Sequence, residues 1–179
     1  MKVPIKQVLV ALILSGSAAG VCANVCSIVP GSVTCLEGTI PSLTGNGVVN
    51  VKGTIVVGAT QINGVLNAEA SHFFTLDVNG SAKLSGCTVN DTTNIKGSLA
   101  ASATKFANTV NIYSNEIQFS NSQLGRDLHI GHTDSKKQTV YLDNSSEVAG
   151  NIIFDDGQGE VILQRQSKIG GKIVGGQTV

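Results

Sequence analysis

Between residues 56 and 179 the chain repeats itself about every 17 residues, and four columns of mostly apolar residues keep step with one another. Val89, Phe106, Leu124, Val148 and Ile169 form one column. Six positions after each stand Ile95, Ile112, Ile130, Phe154 and Gly175, preceded by Ile62 and Val78. A third column runs Ala82, Leu99, Ile117, Val140, Val161, and a fourth Ala68, Leu84, Ala101, Phe119, Leu142, Leu163. The columns share steps of 16, 17, 18, 23 or 24, and 21 residues. One such column arises by chance, but four moving together mark a stack of structural repeats.

Inside each repeat the period is two. Residues 93–99 read Thr-Asn-Ile-Lys-Gly-Ser-Leu and residues 109–114 Thr-Val-Asn-Ile-Tyr-Ser. Alternation of this kind puts apolar side chains on one face of a strand, and the β-branched content agrees. A single segment cannot bury its apolar face, whereas equivalent segments stacked about 4.8 Å apart bury a continuous core. Three short strands per repeat give one turn of a triangular parallel β-helix, so the fold class is all-β, a short solenoid with about 17–18 residues per coil. The three prolines (Pro4, Pro30 and Pro41) all precede this body, where every backbone N–H is needed for the ladders.

Glycine recurs in aliphatic-x-Gly-x-aliphatic phrases: Val51-Lys-Gly-Thr-Ile55, Ile62-Asn-Gly-Val-Leu66, Val78-Asn-Gly-Ser-Ala82, Ile95-Lys-Gly-Ser-Leu99, Val148-Ala-Gly-Asn-Ile152 and Ile169-Gly-Gly-Lys-Ile173. The last two are out of phase with the middle ones, so the phrase marks more than one corner, where glycine takes a positive φ without steric cost. Leu36-Glu-Gly-Thr-Ile40 has the same form. Two polar insertions, residues 132–137 and 155–160, lengthen adjacent coils at similar phases and are expected as neighbouring surface loops.

The N-terminus reads as a secretory signal. Lys2 and Lys6 precede an apolar run (residues 8–14) and a small-residue stretch (residues 15–23), with cleavage points after Ala19 and after Ala23. The run is too short to span a bilayer. The expected organisation is a signal at 1–23, a cysteine-containing cap at 24–47 and the β-helix at 48–179. The expected localisation is exported: periplasm, outer surface or medium. Export permits disulfides, and Cys26 and Cys35, flanking Val-Pro-Gly, are the candidate pair, with Cys22 an alternative partner for either. Cys87 stands in a column of small residues, Ala70, Cys87, Thr104, Ser122, Ser146 and Ser167, and is expected as a tightly packed small side chain.

The glycine phrases, together with the short turn, resemble the bactofilin family over roughly residues 50–175. That resemblance implies a parallel β-helix of triangular section, end-to-end stacking into filaments and a scaffolding role without nucleotide, and it carries over no catalytic residue. The signal segment, the cysteines and the looped-out coils look more like the β-helical passenger of a secreted surface protein or adhesin.

Formal net charge is zero, so no electrostatic footprint points to nucleic acid, and aromatics make up only 4% of the chain. No nucleophile elbow, zinc-protease helix or phosphate-binding loop occurs. His129, His132 and Asp134 are too few for a metal site of three or four converging ligands. His72 is expected to pack at a coil edge. Asp155, Asp156 and Glu160 are weak candidates for a Ca²⁺ loop, with oxygen donors around a glycine pair but without regular spacing. A polysaccharide-cleaving enzyme needs paired carboxylates, for which the candidates are adjacent Asp155 and Asp156, followed by Glu160, and Asp127 with Asp143, neighbours beside Arg126 if stacking brings them to one face. Asn111, Asn115, Asp127, His129 and Asp143 are the candidate binding-surface residues for a glycan or a host surface protein. The reading favoured by the sequence is a non-enzymatic structural or adhesive protein whose main partner is itself. Val161, Leu163, Ile169, Ile173 and Val174 form a final coil open to another copy, and the cysteine segment closes the other end.

Overall fold

A computed structural model describes residues 25–133 and 137–179 of the chain. The expected signal segment at 1–23, with Cys22, lies outside the described residues, as do Asp134, Ser135 and Lys136. Among the described residues there is no helix, and hence none long and apolar enough to cross a membrane.

The strands begin with β1 (Cys26–Val29), β2 (Ser32–Cys35), β3 (Gly38–Ile40), β4 (Leu43–Lys52), β5 (Thr54–Glu69) and β6 (His72–Ser85). Thereafter each turn has three separate strands. The first set is β7 (Thr88–Val89), β8 (Thr93–Lys96) and β9 (Leu99–Ser102). Next come β10 (Lys105–Phe106), β11 (Val110–Tyr113) and β12 (Glu116–Ser120), then β13 (Gln123–Leu124), β14 (Leu128–Ile130) and β15 (Gln138–Asp143). The last two turns are β16 (Glu147–Val148), β17 (Ile152–Phe154) and β18 (Gly159–Leu163), then β19 (Lys168–Ile169), β20 (Ile173–Val174) and β21 (Gly176–Thr178). Every pairing is parallel except β1 with β2. The chain is a three-sided parallel β-solenoid. Parallel pairing already begins at Ser32 with Val48, inside the 24–47 segment.

Each strand lies over its equivalent one turn back, which defines three faces. Face A stacks Ile40, Val56, Phe73, Val89, Phe106, Leu124, Val148 and Ile169 inward. Face B stacks Ile62, Val78, Ile95, Ile112, Ile130 and Phe154. Face C carries two inward columns. One is Val33, Val49, Leu66, Ala82, Leu99, Ile117, Val140 and Val161, and the other Cys35, Val51, Ala68, Leu84, Ala101, Phe119, Leu142 and Leu163. The four columns read from the sequence are ladders of the fold, and face B adds a fifth inward column that was not read: Leu43, Thr60, Leu76, Thr93, Val110, Leu128, Ile152 and Ile173. Their members are buried except near the last coil, and Phe106 meets Phe119 edge to face across the core, ring centroids 6.0 Å apart.

The glycine phrases fall at all three corners. Gly53 sits between faces C and A, and Gly150 and Gly171 between A and B. Gly47, Gly64, Gly80 and Gly97 form a column between B and C. In that column φ runs from 96° to 141°, and a Cβ on Gly80 would lie 2.0 Å from the Gly64 carbonyl oxygen. The ladder passes this corner unbroken, which is why β5 and β6 are long: glycine turns the chain while its backbone touches the coil below.

The small-residue column needs one correction. Its member in the coil before Cys87 is Ser71, not Ala70, since His72 pairs with Thr88. Ala70 belongs to the preceding position, where Ala103, Asn121, Ser145 and Gln166 also take positive φ between 49° and 66° and Ala70 takes 47°. Thr54, Ser71, Thr104, Ser122 and Ser146 are fully buried just past this bend, and each hydroxyl donates to a carbonyl of its own turn or of a neighbouring coil. Ser71, Ser122, Ser146 and Ser167 also accept the N–H of the equivalent residue, or its stand-in, one coil earlier. A bend that strips backbone N–H groups of ladder partners is thus repaired by a column of side-chain oxygens.

Candidate functional site

The two insertions leave the same corner, between faces B and C, in successive coils. One joins β14 to β15 (residues 131–137) and the other joins β17 to β18 (residues 155–158). They lie side by side, as their phase predicts. His129 Nε2 is 2.7 Å from Asp155 Oδ1, and His132 Nδ1 contacts Asp156 Oδ1. The Thr133 N–H donates to Asp156 Oδ2 at 3.2 Å, and the Thr133 hydroxyl donates to Asn115 Oδ1 at 2.7 Å in the coil before. Lys137 Nζ meets Glu160 Oε2 at 2.9 Å. At the base, buried Gln138 donates through Nε2 to the carbonyls of Gly131 and Ser114. The hydrogen bond from His132 holds the partly buried Asp156 carboxyl below its usual range, assisted by the Thr133 N–H.

Of the five candidate binding residues, the structure brings three near one another. Asn111 and His129 are register partners on the outside of face B, and Asn115 joins the loop cluster through Thr133. Asp127 stands at the corner between A and B, where its Oδ1 accepts the Asn151 N–H at 2.6 Å and the Asn151 side-chain amide at 3.2 Å. Asp143 stands at a different corner, between C and A, paired with Arg165. The expected Asp127–Asp143–Arg126 grouping does not form. The 131–137 insertion lengthens its coil, so the residue stacked on Asp127 is Asn151, 24 positions on.

The acidic loop is also spread out. Asp155, Asp156 and Glu160 each face a different basic partner, His129, His132 and Lys137. Among the described residues no group of three His, Cys, Asp or Glu side chains converges so as to hold a metal ion. His72 does not pack at a coil edge: it is exposed on the outside of face A, because it alternates with inward-facing Phe73.

Cys26 and Cys35 form a disulfide, Cα atoms 4.0 Å apart, which ties β1 to β2. Cys87 is free and buried, and donates to the Ser85 carbonyl at 3.4 Å. Burial pushes its thiol pKa up.

Two contiguous shallow depressions on the outside of face C were not read from the sequence. The larger, of 570 Å³, is lined by Lys83, Ala100, Ser102, Gln118, Tyr141 and Asp143 among others. The second, of 530 Å³, shares Lys83 and Ser85 and continues towards Asn50 and Leu36. The register that sets Lys83, Ala100, Gln118 and Tyr141 in one outward row makes the surface, and the sequence signal was present in the alternation between buried columns.

Comparison with protein-family models, with curated proteins and with solved structures found no match to the chain. The likeness to other parallel β-helices is therefore one of architecture.

Proposed function

We propose that this is an exported, non-enzymatic structural or adhesive surface protein that acts by associating with copies of itself, in the manner implied by its resemblance to filament-forming β-helices. The observation that carries this reading is the edge of the last coil. β19, β20 and β21 pair only with the coil before them, and their outer edges have no partner among the described residues. Ile152 donates its N–H to the Lys172 carbonyl and Gly159 donates to the Gly175 carbonyl. The register partners one coil on, Ile173 and Gly176, therefore turn their N–H groups towards the open edge. Inward side chains there are only half covered: Ile169 and Ile173 are partly buried where their equivalents Val148 and Ile152 are fully so. An open parallel edge with uncovered apolar side chains favours addition of strands from another molecule.

Light scattering and negative-stain microscopy of the protein test this. Discrete oligomers or filaments are expected, and Thr178→Lys, which sets a charge over the open end at the inward position equivalent to Val161, is expected to reduce them to single chains. A single-chain mass for the unaltered protein at high concentration would sink the reading.

The depression over Lys83, Gln118 and Tyr141 favours a second reading, a binding face for a glycan or a host surface protein. Retention of single chains on a glycan array, lost in Tyr141→Ala with the fold intact, is the result that distinguishes it.

A further inference from the structure

Among the described residues β1 is the one strand that pairs antiparallel to its neighbour, and it lies along the outer edge of β2. Its four-residue ladder with β2 and the disulfide hold it there, and its side chains add little packing. Ile28 is 77% exposed, Val29 is 56% exposed, and Ser27 is exposed as well. Only Cys26 is half-buried within the strand, while Val25 just before it rests against Gly38 and accepts the Leu36 N–H at 2.8 Å. Ordering a strand costs conformational entropy, and four residues that bury almost no apolar surface do not recover that by packing. β2 is different. Its inward side chains Val33 and Cys35 are buried, and its other edge is fully paired to β4, so it stays in place without β1.

We infer that the edge of β2 is a docking surface for a second copy of this chain, closed by β1 while the Cys26–Cys35 disulfide is intact and opened when that bond is reduced. This rests on the self-association reading and adds a second, regulated contact at the other end of the solenoid. The occupant that fits is the β2 of another copy. β1 shows that this edge takes an antiparallel strand, and a copy related by a two-fold axis presents its own β2 in that direction. Residues 32–35 carry no charge to repel a like strand, and alternating Val33 and Thr34 are good strand formers. Opening needs a dithiol reductant. It donates two electrons and two protons, the Cys26–Cys35 S–S bond breaks into two thiols, and the reductant closes to its own disulfide.

The test uses the full exported chain with Thr178→Lys, which silences the last-coil edge so that the two contacts are read apart. Mass is measured by light scattering with and without dithiothreitol, and amide exchange is followed in β1 and β2. On reduction, a doubling of mass is expected, with β1 amides exchanging and β2 amides protected. Cys26→Ala under reductant, which leaves the core at Cys35 intact, is expected to show the same doubled mass. Adding Thr34→Lys, which sets like charges across the two-fold contact, is expected to abolish the doubling. An unchanged mass on reduction overturns the inference, whether β1 is released or stays protected. Failure of the unaltered oxidised protein to self-associate instead sinks only the last-coil contact.

Discussion

Ser122 Oγ accepts the backbone N–H of Thr104 at 3.2 Å, joining residues 18 apart in sequence but one coil apart in space. Its own hydroxyl proton goes to the Ser120 carbonyl at 2.9 Å. Both partners lie at a corner closed to water, so the side chain does what a ladder hydrogen bond does elsewhere in the coil. Replacement by alanine leaves a buried N–H without an acceptor. Ser122→Ala is expected to cost about 1–3 kcal/mol, read as a lowered midpoint of urea unfolding.

Cys87 occupies the same column, donating to Ser85 as Ser71 donates to Glu69. Cys87→Ser is therefore expected to fold and to match or slightly exceed the parent in stability. Burial also raises the thiol pKa in the folded chain. The folded state thus holds its proton at a pH where the unfolded chain has lost it. Stability should be fully present below the ordinary thiol value of about 8.5 and fall as pH rises above it. That fall should be absent in Cys87→Ser, which unfolding midpoints measured between neutral and alkaline pH will show.

Two glycines with positive φ separate conformational from steric demand. Gly157 has φ 70° and nothing within 4 Å of a would-be Cβ, whereas Gly80 has φ 141° and a carbonyl oxygen at 2.0 Å. Gly157→Ala should cost about 1–2 kcal/mol, the ordinary penalty of the left-handed region. Gly80→Ala adds a clash with backbone that cannot yield without opening the ladder, and should cost about 2–5 kcal/mol. Thermal unfolding of the two variants side by side checks the order.

The Asp156 carboxyl is lowered chiefly by its hydrogen bond to His132. Its part in joining the two inserted loops is present above the ordinary carboxylate range and is lost as pH falls through the lowered value. In a carbon-detected titration its midpoint should lie below that of a free aspartate, and His132→Ala should raise it. An unmoved midpoint in the variant would remove His132 as the cause.

The stacking of Val89, Phe106 and Leu124 was legible because inward positions tolerate only apolar side chains, and the same choice recurs each turn. The register at the corner was not. Ala70 and Ser71 are both small, and a step of 17 from Ala70 to Cys87 looks better in sequence than the true step of 16 from Ser71. Only the bend geometry tells them apart. Asp127 and Asp143, 16 residues apart, resemble coil neighbours until the polar insertion in the sequence between them is discounted, and what stacks on Asp127 is an asparagine. That the insertions adjoin could be read from their phase. That each imidazole meets a carboxylate of the next loop depends on side-chain direction, which the alternation does not encode.

The glycine column ends at Gly97, and Ser114 stands at that corner one coil later. Both long excursions of the chain leave this corner in the two coils after that, at positions the glycine column no longer holds. The rod thus divides into a stretch that admits extra whole turns but no ornament, and a stretch that admits ornament freely. Foreign peptides spliced between positions 133 and 137 should be carried without loss of shape, while the same splice at Gly64 should not.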